Sequence, residues 1–237
     1  MVLLIVVAHY DDEVIAASTR LGPRCRILHV TDSGPRNPKY FTRAGFDTRE
    51  AYAAHRREEM LRAVALAGVT ESQCDVLPVA DQEAVQNLPL LVSEIRKRLE
   101  GVRSVITHAY EGGHPDHDAC ALACQVAVQG AIREEAPFYH AAHGKLVASE
   151  FITAGPPLRT QALKLEEQEL KARMFAEFAS QGHVFERFRL DRETWRVAPD
   201  YDFLEPPHPG TLYYETRDLG YTWAQWRECA RGFLQDC

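Results

Sequence analysis

The N-terminal half of the chain alternates short apolar runs with amphipathic stretches, and this alternation restricts the fold more than any other feature. Val2 to Ala8 is continuous, β-branched and short, the pattern of a strand covered on both faces, as in a parallel sheet flanked by helices. Asp11-Asp12 and the segment Glu13 to Ala17 read as a capped helix that stops at Gly22-Pro23. Arg26 to Val30, Cys74 to Val79 and Arg103 to Thr107 read as further strands, and Arg49 to Ala67, Leu88 to Leu99 and Asp116 to Glu135 as helices. Such a series predicts an α/β fold: a Rossmann-like, doubly wound, mostly parallel sheet flanked by helices, with an elaborated C-terminal part. After Pro137 the alternation weakens. Phe138 to Ala142 and Lys145 to Ser149 read as two short strands and Leu163 to Phe178 as a charged helix. With no repeat, low-complexity tract or convincing linker, residues 1–237 are expected to form one domain. Its α/β core spans 1–136, and an extension over 137–237 shapes the substrate pocket.

Composition narrows the function classes. A chain of 237 residues that is 46% hydrophobic can bury a sizeable core, which argues against global disorder. Thirty-four acidic against 27 basic residues give a net charge of −7, the opposite of the basic footprint that grips phosphate backbones, so nucleic acid is not expected as a partner. Val2 to Val7 is too short to span a bilayer and lacks the flanks of a signal peptide, which predicts no membrane span and a cytoplasmic location. The six cysteines, Cys25, Cys74, Cys120, Cys124, Cys229 and Cys237, show no C-x-x-C spacing and read as free thiols of a reducing compartment. Assembly into a homo-oligomer stays open at this stage.

In open α/β sheets ligands bind beyond the carboxyl ends of the strands. His9-Tyr10-Asp11-Asp12-Glu13 follows the first strand, Thr31-Asp32-Ser33-Gly34 the second, and His108 to Asp118 the strand ending at Thr107. His9 and Asp12 are three apart across a turn, and His114 and His117 repeat that spacing around Pro115. Two imidazoles and a carboxylate are a normal set for a catalytic zinc with one open position, so the expected ligands are His9, Asp12 and either His114 or His117. Asp11, adjacent to a ligand, is the natural general base. The histidine left over is the natural acid, and Asp116 can hold its ring. Asp11-Asp12 could equally be a helix cap, and the H-P-D-H segment a solvated loop. The two together, each after a core strand and beside Gly112-Gly113, favour a site. No G-x-G-x-x-G or phosphate-loop pattern is present, which disfavours a nucleotide cofactor.

The segments Ala8-His9-Tyr10-Asp11-Asp12-Glu13 and Gly113-His114-Pro115-Asp116-His117 resemble the paired A-H-P-D-D-E and G-H-P-D-H signatures of the PIG-L/LmbE-like family of metal-dependent N-acetylglucosaminide deacetylases. Weaker agreements are Thr31-Asp32, Arg56-x-x-Glu59, Ala63, Ala67-Gly68-Val69, Asp81, Lys171 and Ser180-Gln181, so the resemblance covers about residues 1–181. It implies His9, Asp12 and His117 as metal ligands, Asp11 as general base, and His114 as acid or stabiliser of the tetrahedral intermediate, tuned by Asp116. It implies contacts from Arg56 and Asp81 to substrate hydroxyls, although Arg56 could be a surface charge among Arg49, Arg57 and Arg62. The implied cofactor is Zn2+, with Fe2+ or Co2+ also accepted by such ligands. The implied substrate is a small N-acetylated sugar or sugar conjugate. Two departures stand out. Tyr10 replaces the proline of the first signature and is expected to narrow or hydrogen-bond the substrate entrance, and Tyr110 is only a candidate for oxyanion help. Two other classes compete: a non-haem Fe(II) oxygenase, which the α/β alternation disfavours, and a non-catalytic sugar-binding module, which retention of every candidate ligand and of Asp11 disfavours. The aromatic-rich tail after residue 183 reads mainly as core.

Overall fold

The computed structural model describes residues 2–152, 158–217 and 219–236; Cys237 lies outside them. In chain order the elements are β1 (Val2–Val7), α1 (Asp12–Ala17), β2 (Cys25–His29), α2 (Pro38–Arg43), α3 (Arg49–Ala65), β3 (Cys74–Val76), α4 (Leu88–Lys97), β4 (Val102–His108), α5 (Pro115–Ala127), β5 (Ile132–Ala136), β6 (Tyr139–Ala142), β7 (Lys145–Ala148), β8 (Arg159–Ala162), α6 (Leu165–Glu177), α7 (Gly182–Phe185), β9 (Arg192–Val197), α8 (Tyr213–Thr216) and α9 (Trp223–Gln235). The main sheet has the order β3-β2-β1-β4-β5-β9-β8. Its first five strands are parallel, and β9 and β8 extend it antiparallel. The strand order reverses between β1 and β4, which makes that junction the topological switch point where such sheets bind ligands.

β1 explains the layering. Leu4 and Val6 join the core that α4, α5 and Trp226 of α9 cover, while Ile5 and Val7 join the opposite core under α1, α3 and α6. Neither face meets water, so the strand reads as an unbroken apolar run. Helix α3 starts where the Thr48 hydroxyl accepts the Ala51 N–H, and the chain turns away at Gly68, whose φ is +77°.

The expected helix from Asp116 to Glu135 is the main correction. α5 ends at Ala127, the chain turns at Gly130 with φ +79°, and Ile132–Ala136 is the parallel strand β5. Glu134 and Glu135, which suggested helix, are buried in this strand because Arg20 and Arg196 pair with them. Strands β8 and β9 and helix α9 are further elements that the sequence pattern does not mark. The hairpin β6–β7 and the charged helix α6 lie where the sequence places them.

The C-terminal part is locked to the core by buried polar contacts. Lys171 of α6 meets Glu193 of β9 at 2.8 Å, and Glu193 also accepts from the backbone and hydroxyls of Ser18 and Thr19, just past α1. Replacing Lys171 by methionine strands this carboxylate, and a loss of about 3–5 kcal/mol is expected in denaturant melts, the usual cost of breaking a buried pair from one side. A loss below about 1 kcal/mol would contradict that role. Most tail aromatics are core as expected. Trp195 donates to the Ala16 carbonyl at 2.7 Å and Trp226 to that of Pro115 at 3.0 Å, bracing α1 and the second signature segment. Cys25, Cys74, Cys120, Cys124 and Cys229 are free thiols. No helix among the described residues is long and apolar enough to cross a membrane.

Candidate metal centre

Both signature segments meet at the switch point. His9, Asp11, Asp12, Arg56, Asp81, His114 and His117 line one cavity of about 390 Å3, within the usual range for small-molecule sites. The sharp turn after β1 depends on Asp11, whose φ of +129° is costly for a residue with a side chain. The cap reading fails here, since the Asp11 side chain makes no capping bond. Its Oδ2 receives Arg56 Nη2 at 2.8 Å, while the same guanidinium nitrogen donates to the Tyr10 carbonyl at 2.6 Å. Arg56 is therefore a buried partner of Asp11 rather than a surface charge. Glu13 Oε2 accepts the Asp11 N–H at 3.1 Å and faces His29 Nε2 at 3.0 Å, so a fully buried pair holds the strained backbone.

Asp12 is the hub of the histidines. Its Oδ2 lies 3.4 Å from His9 Nδ1 and 3.5 Å from His117 Nε2, close to the ~3.4 Å edge of a tetrahedron built on metal–ligand bonds of about 2.1 Å. His108 Nε2 is equally near, but it accepts the Ala8 N–H at 2.9 Å and its ring stacks on His117 at 3.9 Å. That nitrogen is already used, which leaves His108 as a support. Donor atoms of His9, His114 and His117 lie within 4.8 Å of one another, as do those of Asp12, His108 and His117, and those of His9, Asp81, His114 and Asp116. His117 Nδ1 is buried without a hydrogen-bond partner.

The two adjacent aspartates are driven apart. Burial pushes the Asp11 carboxyl well above the usual carboxylate range, with Asp12 adding repulsion and Arg56 opposing. Asp12, despite burial, is held well below that range by His117 and His108. Such divergence lets neighbouring carboxyls take different tasks. His9 is raised well above an ordinary histidine, because Asp81, Asp116 and Asp12 outweigh its burial. Three carboxylates, Asp11, Asp12 and Asp81, line the cavity with only Asp11 paired to the Arg56 guanidinium, and the donor set fits a divalent cation.

His114 caps α5, with Nδ1 accepting the Asp116 N–H at 3.2 Å, which leaves the proton on Nε2, 3.6 Å from Asp81 Oδ1. Burial, with help from His9, lowers its pKa to about 4. The side chain is thus a neutral N–H donor at pH 7 rather than an imidazolium. Asp116 lies behind the cavity, fully buried; its Oδ2 is 3.3 Å from His9 Nε2 but 3.9 Å from His114 Nδ1, and it accepts backbone N–H groups of Gln82 and Ala84. Its carboxylate holds His9 more closely than His114.

Two tyrosines stand elsewhere than expected. The Tyr10 ring is buried against His29 at 4.8 Å and does not line the cavity, so it does not narrow the entrance. Its N–H, which proline would lack, donates to Ser33 Oγ at 2.7 Å, a local use for the departure from the family pattern. Tyr110 is packed against Phe203 and Trp226 and donates to the Glu205 carbonyl, remote from the cavity. Tyr40, Tyr52 and Tyr139 line the cavity instead, and of these Tyr139 stands beside His117 at 5.4 Å. It follows β5, and the strand-end rule would have found it had that strand not been read as helix. Ser180, Gln181 and Phe188 also line the wall, and the buried Glu59 fixes Ser180 through its N–H and hydroxyl. Gly113 is required for space: a Cβ there would sit 2.0 Å from the Tyr139 carbonyl oxygen. Gly113→Ala is expected to cost about 1–3 kcal/mol and to lower activity with it, read by thermal melts and turnover on the same sample. Unchanged values for both would contradict the close approach.

These features define a class: an α/β protein with a buried His/Asp metal centre at the sheet's switch point. Within that class the chain belongs to the PIG-L family, described as GlcNAc-PI de-N-acetylase, whose model matches residues 4–128. Among solved structures, the teicoplanin deacetylase in its zinc-inhibited form is 16% identical, covering 85% of this chain and 100% of its own, with a TM-score of 0.64. The N,N'-diacetylchitobiose deacetylase from Pyrococcus horikoshii is 16% identical over 81% of this chain and 82% of its own, with a TM-score of 0.52. A 4-carboxy-2-hydroxymuconate hydratase from Pseudomonas putida, 15% identical over 85% and 98%, has a TM-score of 0.56. These likenesses concern the fold, and the hydratase illustrates that one fold hosts different reactions. No curated protein matches this sequence closely enough to count as a relative.

Proposed function

We propose that the protein is a metal-dependent hydrolase that removes the N-acetyl group from an N-acetylglucosamine-type amino sugar or sugar conjugate, with zinc as the metal. The observation that carries this reading is the divergence of Asp11 and Asp12: one carboxyl raised and held by Arg56, the other lowered and surrounded by histidines. His9, Asp12 and His117 would hold the cation. When bound, it would polarise the amide carbonyl and acidify the attacking water.

Asp11 takes the proton of that water, and Arg56 keeps its carboxyl aimed into the cavity. Nε2–H of His114 donates to the oxyanion that forms as the water oxygen bonds to the acetyl carbon. The proton held by Asp11 then passes to the amide nitrogen, the C–N bond breaks, and acetate and a free amine leave. Asp81, partly exposed at the cavity wall, accepts from a sugar hydroxyl. Tyr139 and Phe188 offer ring faces to the sugar.

Acetate and amine release across a panel of N-acetylated amino sugars tests the reading. Equimolar release of both from at least one N-acetylglucosaminide is expected. Sugar binding without release would favour the non-catalytic module, and oxygen uptake with a 2-oxo acid would favour the oxygenase.

A further inference from the structure

Three buried side chains near the second signature take no part in the chemistry above. Glu111 follows β4, His140 stands on β6 and His208 lies between β9 and α8; none of them lines the cavity of the metal centre. Two contacts bring their segments together. Glu111 Oε1 accepts the N–H groups of Phe138 at 2.6 Å and Tyr139 at 3.0 Å, which sets the carboxyl against the start of β6. The chain at Pro207 packs on Gly112, where an added Cβ would meet the proline ring at 3.1 Å. Glu111 Oε2, His140 Nδ1 and His208 Nε2 are each buried without a hydrogen-bond partner. Native interiors rarely leave one such atom unpaired, and three on neighbouring segments call for an occupant.

The three atoms are of the kinds that hold a divalent cation. Glu111 Oε2 lies 3.8 Å from His140 Nδ1, too long for a hydrogen bond and near the ~3.4 Å edge of a tetrahedron around an ion with bonds of about 2.1 Å. His208 Nδ1 meets the Pro209 carbonyl oxygen at 2.9 Å; a carbonyl only accepts, so Nδ1 carries the proton and Nε2 keeps its lone pair. Metal-bound imidazoles and carboxylates have such outer bonds, here from His208 Nδ1 to Pro209 and from the backbone of Phe138 and Tyr139 to Glu111. Burial pushes the Glu111 carboxyl well above the usual carboxylate range, with Glu135 adding repulsion and the two N–H groups and Arg196 opposing. Burial lowers the His140 pKa, which favours the neutral ring a metal needs.

The trio is more open than the first centre, whose donor groups lie within 4.8 Å of one another. The His140 and His208 ring centroids are 6.2 Å apart, about 1 Å more than two imidazoles on one tetrahedral ion would show. His208 belongs to a stretch without helix or strand, so the remaining approach is a small inward movement of that loop.

We propose that Glu111, His140 and His208 form a second, structural site for a divalent cation of the zinc type, which pins the chain between β9 and α8 onto β6. Because one ligand must be drawn inward, this ion is expected to bind more weakly than the first and to leave on gel filtration. Wild-type protein already holding one equivalent of Zn2+ would be titrated with more by calorimetry, beside Glu111→Gln and His208→Ala. A second equivalent is expected in the wild type, with affinity falling at least about tenfold in each variant, the lower bound for disturbing even the residues behind a ligand. Crystals of the wild type grown with Zn2+ give a reading that no variant's folding affects: an anomalous peak about 2.1 Å from Glu111 Oε2, His140 Nδ1 and His208 Nε2. No second equivalent, a second equivalent that either variant leaves unchanged, or a map with water alone among the three side chains would each overturn the site. None of these measurements involves acetate release, so the site stands or falls apart from the deacetylase reading.

Discussion

Asp11→Asn is expected to lower turnover by about 10²–10⁴-fold, the usual worth of a general base, while metal content and KM stay close to the wild type. Asparagine is isosteric, and its amide oxygen can still accept from Arg56 Nη2, so the turn after β1 and the cavity wall should persist. What disappears is a group able to take a proton. Asp11 suits that task because burial raises its affinity for a proton, with the Arg56 guanidinium beside it opposing that rise. Activity within a fewfold of wild type would remove Asp11 from the reaction. Loss of metal together with activity would instead place it among the ligands.

His117→Ala should lose the metal itself. The ring is almost fully buried, its Nε2 faces Asp12 at 3.5 Å, and the neighbouring His108 cannot replace it while it accepts the Ala8 N–H. A metal-polarised carbonyl is worth several kcal/mol to the transition state, so turnover should fall by roughly 10³-fold or more. Metal analysis after gel filtration should give well under one equivalent per chain. The paired control is His108→Ala, which should lower thermal stability more than metal content, because that ring ties β4 to β1 and supports His117 from behind. If His108→Ala empties the site and His117→Ala does not, the two histidines have been assigned in the wrong order.

The centre of this molecule could be read from sequence because its constraints are local. His9 and Asp12 share one turn, His114 and His117 another, and both turns follow strands whose apolar runs are unbroken; the switch point then brings them together. Arg56 and Asp81 needed the family pattern, since neither helix periodicity nor strand position tells a guanidinium bound to Asp11 from one in water. The errors also have physical causes. Ile132–Ala136 carries two glutamates whose helix propensity prevailed in the sequence, and only Arg20 and Arg196, distant in the chain, make them tolerable in a buried strand. That misreading hid Tyr139. Tyr10 looked like an entrance residue because it adjoins His9, yet Ser33 and His29, some twenty positions away, turn its backbone and ring inward.

The central claim is metal-dependent removal of an N-acetyl group at this centre, and acetate release before and after metal removal tests it most directly. The protein would be stripped with a chelator, checked for retained secondary structure, assayed on an N-acetylglucosaminide accepted by the untreated protein, and assayed again after one equivalent of Zn2+, Fe2+ or Co2+. The account predicts acetate release that vanishes with the metal and returns on adding back one equivalent, with Asp11→Asn inactive in both states. Acetate release that continues unchanged in the folded, metal-free protein would contradict it.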